Sequence, residues 1–210
     1  MIKPIIPKDI KECIVMFSGG KDSIVLIDCL HDAGVKIHPV YLYIIDYEYR
    51  KNFFQWYEKK YNVQIRKYKH YDYPIYKSKY AFGGKPKKVL NQKKYEQIFR
   101  KEIGDYYVAW GIKKYDSLER RAMLGKMRNN EYKDDETKRF YPLALFTDKE
   151  IHYYIKRKKL LMLPEYNYGL ADMLIPSRET FEYLKNNYKR DYQKLKEEFP
   201  ILVQLLEAGK

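Results

Sequence analysis

The chain has 210 residues, enough for one large domain or one domain with an appendage, and 45% of them are hydrophobic. No apolar run approaches the roughly 18 residues of a membrane span, and the opening Met-Ile-Lys-Pro-Ile-Ile-Pro-Lys-Asp lacks the features of a secretory signal, so a cytoplasmic location is expected. A net charge of +14 points to an anionic partner larger than one nucleotide, with nucleic acid first, although a chain rich in Lys, Tyr, Ile and Asn also reflects A/T-rich codons.

Residues 1–11 read as a polar lead-in interrupted by Pro4 and Pro7. Ile14 to Phe17 form a short apolar run suited to a strand buried on both faces. Ser18, Gly19 and Gly20 then supply a turn, and a helix opens near Asp22 and Ser23 and runs to Gly34, a C-terminal stop. Strand, glycine turn and helix start together form an anion site, because the first-turn N–H groups lack helical partners and the helix dipole is positive there. The order Ser18-Gly19-Gly20-Lys21-Asp22-Ser23 sets two hydroxyls, a cation and a carboxylate around one glycine pair. A plain strand-to-helix turn is the alternative reading. The spacing is not that of a Walker loop, in which four residues separate the first glycine from Gly-Lys.

This hexapeptide resembles the PP-loop of the adenine-nucleotide α-hydrolase superfamily, and lysine at its fourth position resembles the phosphoadenosine-phosphosulfate (PAPS) reductase-like branch. The resemblance implies ATP bound with Mg²⁺ and cleaved between its α- and β-phosphates. It implies nucleotide contacts from Ser18, Gly19, Gly20, Lys21, Asp22 and Ser23, with Lys21 and Asp22 catalytic and Asp22 helping to position the metal.

Further along, Ile37 to Ile45 reads as a second strand ending at Asp46. In an open parallel sheet ligands sit beyond the carboxyl ends of strands, so Asp46 is either a nucleotide contact or the N-cap of a helix starting near Glu48. That helix carries Phe53, Phe54, Trp56 and Tyr57, read as core packing. Val63 to Lys69 alternates like a strand near a sheet edge. Residues 70–90 interleave Tyr71, Tyr73, Tyr76, Tyr80 and Phe82 with Lys77, Lys79, Lys85, Lys87 and Lys88 around Gly83-Gly84. They read as a loop offering stacking surfaces and cations to nucleic acid, or as a solvated insertion.

A polar helix is expected over 91–103, then a buried strand from Tyr106 to Ile112. Gly111, Lys113, Lys114, Asp116, Ser117, Arg120 and Arg121 repeat the logic of the first site, with a glycine at a strand end, cations and a new helix start. This stretch resembles the family's Gly-x-Arg and Ser-x-x-Arg segment at Gly111, Ser117 and Arg120, with Lys113 in place of the first arginine. The resemblance implies a substrate-anion site at Lys113, Ser117 and Arg120, with Arg120 catalytic and Gly111 beside the nucleotide. Phe140 to Ile151 is similar to the family's Pro-Leu and Trp-Thr-x-x-Asp block, with Phe146 for tryptophan and Glu150 for aspartate. Thr147 and Glu150 also read as a capping box, for a helix reaching about Leu160.

After Gly169 the likeness fades. Reductases of this branch carry a C-terminal catalytic cysteine, whereas the two cysteines here, Cys13 and Cys29, fall on the first strand and first helix as core residues of a reducing compartment. Thiol-based reduction and a cysteine-held cluster are therefore unsupported. Residues 177–210 read as two or three short amphipathic helices. The expected fold is a doubly wound α/β sandwich with a mainly parallel sheet of about five strands. A nucleotide-binding domain is expected over 1–145 and a small helical C-terminal extension over 146–210. The expected function is an ATP pyrophosphatase that adenylates a substrate, tRNA or DNA by analogy, for sulfur or nitrogen transfer with a sulfur-donor protein or free nucleophile. A sulfonucleotide-binding or reductase-related enzyme, a nucleotide sensor and a nucleic-acid-binding module are the alternatives.

Overall fold

The structure, a computed structural model, describes residues 2–84, 91–127, 131–168 and 177–208. Its strands are β1 (Glu12–Met16), β2 (Lys36–Tyr43), β3 (Arg66–Lys69), β4 (Tyr107–Ala109), β5 (Lys133–Asp134) and β6 (Arg139–Phe140). They form one sheet in the order β3-β2-β1-β4-β6-β5. β1 pairs in parallel with both β2 and β4, and β4 in parallel with β6, while β5 and β6 run antiparallel. The sixth strand, β5, lies in a polar stretch with no apolar run to announce it. β3 stands at the sheet edge, as its alternating pattern predicts.

The helices described are α1 (Lys21–Asp32), α2 (Lys51–Tyr61), α3 (Tyr73–Lys77), α4 (Gln92–Ile103), α5 (Leu118–Gly125), α6 (Asp148–Lys158), α7 (Arg178–Asn187), α8 (Lys189–Glu198) and α9 (Pro200–Glu207). From β1 the chain builds outward through β2 and β3, then returns to the other side of β1 for β4 and β6. The strand order therefore reverses between β1 and β4, and the crevice at their carboxyl ends is the place where such sheets bind ligands. The segments that leave this crevice are 17–20 and 110–117.

By compactness the chain divides into two units, each assembled from three segments. The first comprises Met1–Tyr41, Phe54–Arg66 and Ile98–Met162. Its core is the central strand β1, where Cys13, Ile14 and Val15 are fully buried, flanked by Ile24 to Ile27, Val108 and Phe146. Phe17 meets the rings of Tyr57 at 5.0 Å and Phe54 at 6.1 Å, so these aromatics of α2 serve packing, as expected. The buried carboxylate of Asp28 ties three helices together. It accepts from Tyr61 at 2.6 Å, Lys60 at 3.0 Å and Tyr154 of α6 at 2.9 Å. Helix α1 stops in a Schellman motif: Gly34, at φ +73°, donates to the His31 carbonyl and Val35 donates to the Leu30 carbonyl.

The second unit comprises Leu42–Phe53, Lys67–Gln97 and Leu163–Lys210. Ile44, Ile45 and Tyr47 bury there with Phe181, Leu184, Leu195, Phe199, Leu202 and Val203 of α7 to α9. Fully buried Glu165 accepts from Arg50 at 2.8 Å and from the Tyr49 hydroxyl at 2.9 Å. Residues 73–82 are helical, with α3 running into a π-helical turn (Ser78–Phe82), and so are not the loop expected. Tyr73, Tyr76 and Tyr80 are partly buried against the cluster just named, because helical positions three and four apart share one face. No helix among the described residues is long and apolar enough to cross a membrane.

Candidate nucleotide site

Gly19 adopts φ +81°, a left-handed value that glycine takes without the Cβ penalty, and this turn joins β1 to α1. Helix α1 starts slightly earlier than expected, with Gly20 as its cap residue and no side chain capping its first-turn N–H groups. Ser18 accepts from the Gly20 N–H at 3.2 Å and donates to the Ser23 hydroxyl at 3.3 Å. Ser23 donates to the Gly20 carbonyl at 2.8 Å. The two hydroxyls thus brace the turn that aims the helix end.

After β4 the chain passes Gly111, which touches this turn. A Cβ at Gly111 would lie 3.3 Å from the backbone carbon and Cβ of Asp22, so the missing side chain permits a backbone approach that alanine would crowd. Two residues on, Lys113 is 1% exposed, and its ammonium meets Asp22 at 2.6 Å, Asp116 at 2.8 Å and Asp148 at 3.4 Å. Lys21 meets Asp148 at 2.9 Å and Asp22 at 3.1 Å. Arg120 meets Asp116 at 2.7 Å. Ser117 caps α5 by accepting from the Arg120 N–H at 3.1 Å. Three cations and three carboxylates therefore form one continuous charge network around the end of the loop.

The charges respond to one another. Burial pushes the Asp116 carboxyl up, but hydrogen bonds from Lys113 and Arg120 outweigh it and hold the group below the usual carboxylate range. Lys21 holds Asp148 low. Burial works against the charge on Lys21, yet Asp148 and Asp22 keep its pKa above the ordinary lysine value. Asp116 and Asp148 were not singled out as site residues from sequence. Asp116 looks like a helix opener, and Asp148 looks like any acidic first-turn residue after the Thr147 cap. Their part in the network depends on partners up to 127 positions away.

Ser18 to Ser23, Gly111, Lys113, Ser117 and Arg120 all fall within the first unit. Asp46 belongs to the second, where its carboxylate accepts from Lys67 at 2.9 and 3.0 Å, and it lines a cavity of about 280 Å³ with Tyr43, Lys69, Lys194 and Glu198. It does not cap the turn at Glu48. Asp191 does so from α8, accepting from the N–H groups of Glu48 at 2.7 Å and Tyr49 at 3.0 Å. Lys77 is drawn inward, donating to the Glu198 carbonyl at 3.0 Å, and Lys79 lies over the Tyr80 ring at 4.8 Å. Lys85, Lys87 and Lys88 lie outside the described residues. Among the described residues no group of three or more potential ligands is gathered for a metal ion.

The family model for the phosphoadenosine phosphosulfate reductase domain matches residues 12–194. The chain belongs to that family. It is thereby a member of the PP-loop adenine-nucleotide α-hydrolases, a nucleotide-binding superfamily. Among solved structures the chain is similar to the NH3-dependent NAD synthetase from Campylobacter jejuni subsp. jejuni NCTC 11168 in complex with the nitrate ion. That likeness has 13% identity and a TM-score of 0.47, over 96% of this chain and 84% of the other. No curated protein matches the sequence. The two cysteines of the chain, Cys13 and Cys29, are free thiols buried in the first unit. Burial raises both, Cys13 far above the usual thiol range and Cys29 to about 12.

Proposed function

We propose that the protein binds ATP on the Ser18 to Ser23 turn and cleaves it between the α- and β-phosphates to adenylate an acceptor. The observation that carries this reading is the contact of Gly111 with Asp22, which brings a second lysine onto the carboxylate of the loop itself. Lys113 is sequestered, whereas the side chain of Lys21 retains 23% exposure. An incoming triphosphate competes with Asp148 for Lys21, so Lys21 is the cation that moves to the phosphates while Lys113 keeps Asp22 oriented. Loop N–H groups, Ser18, Ser23 and Lys21 then receive the charge that develops on the leaving pyrophosphate.

An oxygen of the acceptor attacks the α-phosphorus as the bond to the bridging oxygen breaks, and pyrophosphate leaves. A sulfur or nitrogen nucleophile from a donor protein or from solution then bonds to the acceptor carbon that carries the adenylated oxygen, and AMP leaves with that oxygen as the carbon–oxygen bond breaks. Mg²⁺ suits this site as an ion held mainly by phosphate oxygens, with Asp22 as its protein ligand, where it would neutralise phosphate charge. Arg120, with 48% of its side chain exposed, and Ser117 receive an anionic group of the acceptor, for which nucleic acid fits the +14 charge. Sulfonucleotide reduction is disfavoured because both thiols are buried and raised.

The test is incubation with ATP labelled at the α and γ positions, with and without tRNA or DNA. AMP and pyrophosphate are expected, and Lys21→Ala should abolish ATP binding without unfolding the chain. ADP and phosphate would reject α–β cleavage, and tight binding without any turnover would make the protein a sensor.

A further inference from the structure

Helix α5 is sparsely covered. Leu124 is its one buried residue, while Leu118 is 77% exposed and Tyr115, just before it, is 57% exposed. Folding normally leaves such side chains singly scattered, but these two lie three positions apart and are surrounded by charge. The guanidinium of Arg121 sits 6.0 Å from the Tyr115 ring centroid, and Arg120, Arg121 and Lys126 are all exposed. Between 113 and 127 there are five cationic side chains against two acidic ones.

We propose that Tyr115 and the exposed face of α5, with Leu118, Arg121 and Lys126, form a binding surface for single-stranded nucleic acid that feeds the nucleotide site. An open aromatic face flanked by a guanidinium suits an unpaired base, which can stack on the ring while its phosphates meet the cations. A duplex keeps its base faces covered, so it would leave the ring unused. A protein partner would need a larger apolar patch than one leucine and one tyrosine. The surface also leads inward, since Arg120 on the same helix reaches Asp116, which holds Lys113 against the loop. This assignment moves the nucleic-acid contact away from 70–84, whose tyrosines are largely occupied in packing. Its role as the acceptor surface rests on the adenylation reading; the binding itself does not.

The experiment is fluorescence anisotropy of labelled single-stranded RNA and DNA oligonucleotides on the full chain over a salt series, with ATP affinity and ATP products measured on the same variants. Tyr115→Ala should weaken binding roughly tenfold or more, and Tyr115→Trp should retain it. The double variant Arg121→Glu, Lys126→Glu should reduce the slope of log affinity against log salt by about 1.4, two contacts at about 0.7 each. ATP affinity should stay unchanged in all three. Binding in either arm that is lost in these variants supports the surface, and the tighter arm names the sugar. Affinity and slope unchanged in Tyr115→Ala and the double variant would overturn it. So would a concentration-dependent dimer abolished by Leu118→Asp, with no oligonucleotide binding by the parent. Oligonucleotide binding lost in the variants, with ATP cleaved only to ADP, would leave this surface standing and remove the adenylation reading.

Discussion

Replacing Lys113 by methionine keeps the buried aliphatic stem and deletes only the ammonium. Asp22, Asp116 and Asp148 then lose a shared cation at 2.6, 2.8 and 3.4 Å. Stranding a fully buried carboxylate costs about 3–5 kcal/mol. The cost here is smaller, since the Asp148 side chain is 65% exposed, Lys21 still serves Asp22 and Asp148, and Arg120 still serves Asp116. About 2–3 kcal/mol remains, a fall of about 5–10 °C in melting temperature for a chain of this size. Because Lys113 holds Asp116 low, the stability it contributes is present above the ordinary carboxylate range and is lost as pH falls through it. The deficit of Lys113→Met against the parent should therefore be full at about pH 7 and shrink only as pH falls below about 3.8 toward about pH 2, where the Asp116 carboxyl of the parent is itself protonated. Thermal melts followed by circular dichroism across that range check this. A deficit of the same size at both ends would show that Lys113 acts by packing, and an unchanged melting temperature would refute the charge network altogether.

Gly111→Ala should cost about 1–3 kcal/mol, because the new methyl meets the backbone of Asp22 at 3.3 Å and the helix start must shift. ATP titration calorimetry should show weaker binding, and parental affinity would refute the proposed contact between the two turns. Asp28→Asn removes the charge shared by Tyr61, Tyr154 and Lys60 and should cost about 2–4 kcal/mol in urea melts. Burial raises the Asp28 carboxyl, but these partners outweigh it, so its contribution holds at neutral pH and fades as pH falls below about 3.8. In the second unit, Arg50→Met leaves Glu165 buried and should cost about 3–5 kcal/mol. The double variant Arg50→Met, Glu165→Met should recover most of that loss, and additive losses would argue against a coupled pair.

Much of this protein is written locally. The apolar run at Ile14 to Phe17, the glycine turn at 18–23, the stop at Gly34 and the Thr147–Glu150 capping box each involve residues within a few positions of one another. Their geometry follows from backbone sterics and short-range hydrogen bonds. The family and its α/β sheet were legible for the same reason. What depended on distant partners was not. Lys113 reads as a surface cation waiting for an anion, yet folding buries it among three carboxylates, two of them delivered by other parts of the chain. The turn at Glu48 takes its cap from Asp191, 143 positions away, rather than from neighbouring Asp46. The tyrosines of residues 73–80 show the same limit, since an aromatic amid lysines has one composition whether it faces water or a core. The packing of α7 to α9 partly covers those rings, while sparse cover over α5 leaves Tyr115 and Leu118 open. Burial and ion pairing are set by which surfaces meet, and that is decided by the tertiary fold.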